Sequence, residues 1–170
     1  FLNLLNAVLQ SKDEKARREM KSLLSRLFRH DSPDHHDSKL DVSKETLYSL
    51  CHRCIDSLAL CLSDALTSEI AREAENLQWI VSILIDKKLC DEFVKLWADQ
   101  KKLVSLHSKI PAMYRHEISK ITAQLCIGIG RGQIMVGTET RFALLSNWLE
   151  PLYEDFGWMR RAVDKKLVED

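Results

Sequence analysis

Apolar residues recur every three or four positions through WIVSILIDKKLCDEFVKLWADQ (79–100), SKIPAMYRHEISKITAQLC (108–126) and RFALLSNWLEPLYEDFGWMRR (141–161). That spacing is one face of an α-helix, and its repetition in three separate segments restricts the chain to helices packed on one another. No set of residues inside these segments assembles a recognisable catalytic or ligand site. The residues alone therefore describe a helical domain suited to binding another protein.

The same period runs through the rest of the chain. Leu2, Leu5 and Leu9 make a short stripe; Ala16, Met20, Leu23 and Leu27 make a longer one, preceded by Asp13 and Glu14 where negative charge favours a helix start. Residues 1–29 thus read as a helical hairpin. From 30 to 41 the sequence HDSPDHHDSKLD loses its apolar period, and 30–42 reads as a flexible linker. The main helical domain then covers 43–170. Ser43 is placed as an N-cap for a helix carrying Leu47, Cys51, Cys54, Leu58, Cys61 and Ala65, and Ser68 for one carrying Ile70, Ala74, Leu77, Val81 and Leu84. Leu89, Phe93, Leu96 and Trp97 mark a further helix, which Leu103, Val104 and Leu106 extend or follow as a separate one. After Pro111, a stripe at Tyr114, Ile118, Ile121 and Leu125 is expected to end where Gly128, Gly130 and Gly132 remove helix propensity. Phe142, Leu145, Leu149, Leu152 and Phe156 form the last stripe, with a kink at Pro151 or a new helix near Glu150. The one strand-like run, 133–136, is too short for a sheet. The class is all-α, an irregular bundle or a repeat-like stack of antiparallel helices; no period of 34 to 47 residues shows a regular solenoid.

With 25 basic and 25 acidic residues among 170, the chain has no net charge and no electrostatic footprint for nucleic acid. No apolar run is long enough to span a membrane, and no signal peptide is visible, so the domain reads as soluble and intracellular, cytoplasmic or nuclear. Five cysteines suit a reducing compartment. A start at Phe1 and a stop inside a charged run read as a piece of a longer protein.

Four motifs invite chemistry. Cys51-His52-Arg53-Cys54, with Cys61, Cys90 and His107 as further ligands, would suit a metal or redox site, but 51, 54 and 61 share a face with Leu47 and Leu58, as core cysteines do. His30, His35 and His36 among Asp31, Asp34 and Asp37 sit in the linker, where ordering the backbone opposes a built metal site. The glycines at 128, 130 and 132 follow a helix rather than a strand and read as a helix end, not a phosphate loop. Asp155-Phe156-Gly157 lacks the companion motifs of a kinase and is also read as a helix end. No catalytic, metal or cofactor-binding residue is therefore assigned. One cluster has the composition of an interface centre: Trp158 with Arg160 and Arg161, the candidate protein-binding residues.

The runs EKARREMKSLLSRL, EIAREAENLQWIVSILIDKKLCDEFVKLWADQ, LHSKIPAMYRHEISKITAQLCIGIGRG and NWLEPLYEDFGWMRR, followed by DKKLVED, resemble the region C-terminal to the BTB domain in a family of plant BTB/POZ proteins. The resemblance implies a noncatalytic interaction domain, the substrate-recognition part of a cullin-based ubiquitin ligase adaptor. It implies a target protein as partner, with homodimerisation and cullin docking supplied by a BTB domain that these residues do not contain. The alternative is a structural or signalling scaffold unrelated to ubiquitin.

Overall fold

The structure, a computed structural model, describes residues 2–29 and 42–169, with side chains through 165. Among the described residues there are eight helices and no strand: α1 (Leu2–Leu9), α2 (Glu14–Arg29), α3 (Lys44–Ser63), α4 (Thr67–Asp86), α5 (Asp91–Ala98), α6 (Lys101–His107), α7 (Ala112–Gly130) and α8 (Thr138–Glu169). The all-α expectation holds, and 133–136 is irregular chain. Two compact units, residues 1–53 and 54–170, divide the chain, with α3 running from the first into the second. The expected linker at 30–42 lies, Val42 aside, outside the described residues, as does the histidine and aspartate cluster within it.

In the first unit, the Ala16 amide donates to Asp13 Oδ1 at 3.1 Å, which caps α2 where its sequence expects a start. The face α2 buries is not the one its apolar stripe marks. Arg17, Lys21, Leu24 and Phe28 are buried, while Met20, Leu23 and Leu27 are exposed. Arg17 reaches the Ser11 carbonyl through Nη1 at 2.8 Å, so its aliphatic stem fills the position a smaller apolar residue would otherwise hold. Ser43 caps α3 as expected, its Oγ accepting from the Thr46 amide at 3.2 Å.

In the second unit, α4 packs on α7, α7 on α8, and α5 and α6 on α8. Ile70, Ala74, Leu77, Val81 and Leu84 are all fully buried along α4, so this stripe was read correctly. Its start was not: α4 begins at Thr67, and Leu66 precedes it without a side-chain cap, so Ser68 lies within the first turn. Cys51, Cys54, Cys61 and Cys90 are buried thiols outside any disulfide, behaving as small core hydrophobes. Burial, with Asp91 adding a smaller repulsion, pushes Cys90 up to about 12.

Helices α3, α4 and α7 close in one way. A residue with positive φ follows each: Ala65 (53°), Lys88 (58°) and Gly132 (72°). The next amide then reaches back five residues, Leu66 to the Cys61 carbonyl (2.9 Å), Leu89 to Leu84 (2.8 Å) and Gln133 to Gly128 (2.9 Å). Gly132 thus serves the helix end that the glycine run signals, but α7 continues through Gly128 to Gly130. Gly128 leaves room inside the helix for the buried Ile134, whose Cδ1 would stand 2.6 Å from a Cβ there, so a larger residue would have to displace that side chain. Two further expectations fail on α8. It is one helix of 32 residues with Pro151 inside it, which removes the alternative of a new helix near Glu150, and Asp155-Phe156-Gly157 lies within it rather than at its end. The stripe at Phe142, Leu145, Leu149 and Phe156 is exposed, and Leu144, Trp148 and Asp155 form the buried face instead.

Ala65 and Lys88 hold a conformation that disfavours a Cβ. Ala65→Gly and Lys88→Gly are each expected to stabilise the fold by about 1 kcal/mol, read as a higher midpoint in denaturant unfolding.

Candidate protein-binding surface

Helix α8 is fastened at two buried points. At the first, the indoles of Trp97 on α5 and Trp148 on α8 stack with ring centroids 4.5 Å apart and planes 9° from parallel; Phe93 extends the stack from α5. Polar bonds lock it. Trp148 Nε1 donates to the Trp97 carbonyl (2.8 Å), Trp97 Nε1 to Thr122 Oγ1 on α7 (3.0 Å), and Asn147 Nδ2 to the Ala98 carbonyl (2.7 Å).

The second point is Asp155, a fully buried carboxylate. Oδ2 accepts from Ser119 Oγ (2.5 Å) and from His107 Nε2 (2.9 Å), while Oδ1 accepts from Arg115 Nε (2.8 Å). Arg115 also donates from Nη1 to the carbonyls of His107 (3.1 Å) and Ile110 (3.0 Å), and Nη2 stands 3.4 Å from Glu154. Burial alone would raise the Asp155 pKa, but the hydrogen bonds from His107, Ser119 and Arg115 together outweigh it and hold the carboxyl below its ordinary range. A serine, a histidine and an aspartate meet here without forming a hydrolytic relay. In such a relay the histidine stands between the other two and takes the serine proton. Here the Ser119 hydroxyl donates its hydrogen bond to Asp155 Oδ2, His107 meets both that oxygen (2.9 Å) and Ser119 Oγ (3.4 Å) through the one nitrogen Nε2, and all three are buried. The cluster joins α6, α7 and α8. Sequence reading missed it, although Asp155 falls seven residues after Trp148, on the same face.

Beyond this node, the structure places Trp158, Arg160 and Arg161 around one open cleft of about 570 Å³, shared with Tyr153 and Phe156. Trp158 is half-buried, with its ring centroid 5.1 Å from that of His116. Arg160 and Arg161 are exposed and make no ion pair among the described residues. Arg161 Nη1 folds back to 3.6 Å from where a Cβ on Gly157 would stand. A second cleft, of about 650 Å³, runs between α4 and α7. There Gln78 Nε2 donates to the Glu117 carbonyl (2.7 Å) and Oε2 (2.9 Å). Against the opposing effect of burial, Lys120 and Gln78 lower the Glu117 pKa. No group of three or more His, Cys, Asp or Glu among the described residues is arranged to hold a metal ion, and no described helix is long and apolar enough to cross a membrane.

The model of the BTB/POZ ankyrin-like repeat family matches residues 2–70 and 63–169. The chain belongs to that family. Three BTB/POZ domain-containing proteins of Arabidopsis thaliana are 60%, 40% and 31% identical to it, over 100%, 98% and 98% of the chain and 36%, 34% and 33% of their own lengths. The chain therefore spans about a third of the relatives it matches. No solved structure matches it. The resemblance to plant BTB/POZ proteins carried by the long sequence runs is thus correct.

In this BTB/POZ ankyrin-like region the Asp155 node makes stability depend on pH. Its folded pKa lies below the unfolded value of about 3.9, so its contribution is complete above that pH and is lost as pH falls through the lower folded value. Asp155→Asn should cost about 3 kcal/mol near neutral pH, because it leaves the Arg115 guanidinium without its buried partner. It should also flatten the acid limb of a stability profile measured by urea unfolding.

Proposed function

We propose that this chain is a noncatalytic protein-recognition domain. Within a whole BTB/POZ protein it would hold a target for ubiquitin transfer by a cullin-based ligase, while a BTB domain elsewhere dimerises and docks on the cullin. The observation that carries the reading is the cleft at Trp158, where two arginines with no ion pair among the described residues line one open surface with Tyr153, Phe156 and the half-buried Trp158. Arginine and large aromatics dominate the energetics of protein interfaces. The sealed geometry at Ser119, His107 and Asp155 supports the noncatalytic part, since a nucleophile that donates to a carboxylate and cannot meet substrate is not activated. The family supports a place among interaction proteins. Such a role places the parent inside the cell, in cytoplasm or nucleus.

The test uses the full-length parent. Deleting the residues equivalent to 40–170 should abolish target recovery in affinity purification and leave cullin association intact. Arg160→Glu with Arg161→Glu should weaken target binding by about 2 kcal/mol without lowering the melting temperature. Full target recovery by the deleted protein would move recognition elsewhere and favour a scaffold unrelated to ubiquitin.

A further inference from the structure

The apolar stripe on α8 has a regular spacing. From Phe142 through Leu145, Leu149, Leu152 and Phe156 it continues to Met159 and Val163, with steps of 3, 4, 3, 4, 3 and 4 residues. This is the heptad seam by which one helix receives another. It runs about 30 Å along the helix. Leu152 and Met159 are half-buried, and the other five side chains are between 44% and 71% exposed. The seam is therefore not the face by which α8 joins its own core.

Charge identifies the occupant. At about 100° per residue, the sector within about 60° of the seam's centre carries two charged side chains, Arg141 near its start and Arg160 near its end. The carboxylates Glu139, Glu150, Glu154 and Asp164 all stand about 80° or more off that centre. Arg141 and Arg160 make no ion pair among the described residues; the Arg141 guanidinium reaches the Thr138 hydroxyl at 3.5 Å. Beside Arg141, Cys126, Ile129, Gly130, Leu144 and Leu145 line a dent of about 220 Å³ between α7 and α8, a seat for one anchoring apolar side chain. A second copy of α8 fits poorly. Parallel pairing sets each arginine beside its counterpart, and antiparallel pairing about Leu152 brings Arg141 of one copy within about one turn of Arg160 of the other.

We propose that the α8 seam receives an amphipathic helix of about 20 residues from a partner protein, with apolar side chains at heptad spacing and acidic side chains near both ends of that face. The proposal rests on the protein-recognition reading and names the chemistry of the partner. Two synthetic helical peptides test it on the 170-residue chain by fluorescence anisotropy, both with the same leucine heptads, one flanked by glutamates and one by lysines. The acidic peptide should bind at least about tenfold tighter, and Arg141→Glu with Arg160→Glu should reverse the preference. Leu149→Asp, or Phe142→Ser if the first lowers the melting temperature, should weaken binding by about tenfold or more. Equal affinity for the two peptides, or binding indifferent to the seam substitutions, would overturn the proposal. So would a dimer in sedimentation that Leu149→Asp dissociates, since the seam would then belong to a second copy. Target recovery by the full-length parent is a separate readout, so failure here leaves the recognition reading standing.

Discussion

The stacked indoles of Trp97 and Trp148 are the contact around which the C-terminal helices are organised. Burying an indole removes about 150 to 250 Å² from water, worth on the order of 4 to 6 kcal/mol per ring. That exceeds the roughly 3 kcal/mol that a proline costs in a helix interior. It accounts for α8 running unbroken past Pro151, three residues beyond Trp148, with Asp155 fastened again one turn later. The rings also carry direction. Each indole N–H has a buried acceptor, so the stack fixes how α8 is rotated as well as where it lies.

That rotation decides which face of α8 stays open. With Leu144, Trp148 and Asp155 held inward, five of the seven seam residues are turned outward, with Leu152 and Met159 half-buried between them. A helix with apolar residues on both a buried and an open face is wider in its hydrophobicity than its own fold requires. The dent beside Leu145 lies at one end of the seam, and the cleft that includes Phe156 and Arg160 lies toward the other.

How far this was legible in the sequence depends on what reports burial. The α4 and α7 stripes were plain because most of their apolar residues face the core, as Ile118, Ile121 and Leu125 do on α7. On α2 and α8 the period correctly announced helices but indicated the wrong face. Spacing records that apolar residues share a side, and only neighbouring helices determine whether that side is covered. Arg17 and Lys21 are buried through stems that a hydropathy count scores as polar. Asp155 was hidden for another reason: in the sequence it belongs to a tripeptide read as a helix end, and its partners Arg115, Ser119 and His107 are distant in the chain and converge on it only in the fold. Trp158, Arg160 and Arg161 could be grouped because they are close in the chain, whereas Tyr153 and Phe156 joined them through the helix. The absence of a clear repeat period also has a physical origin, since the helices range from 7 to 32 residues.

The depth of Cys90 has a chemical consequence. A thiol with a pKa of about 12 is ionised in only about one molecule in 100,000 at pH 7, and the thiolate is the form that oxidants and alkylating agents attack. Cys126, half-exposed at the rim of the dent, differs in access rather than in charge, since burial raises its pKa too. The five sulfurs therefore form a graded set of clocks: Cys126 reacts at a rate governed by what sits over the dent, and Cys90 at a rate governed by how often the core opens.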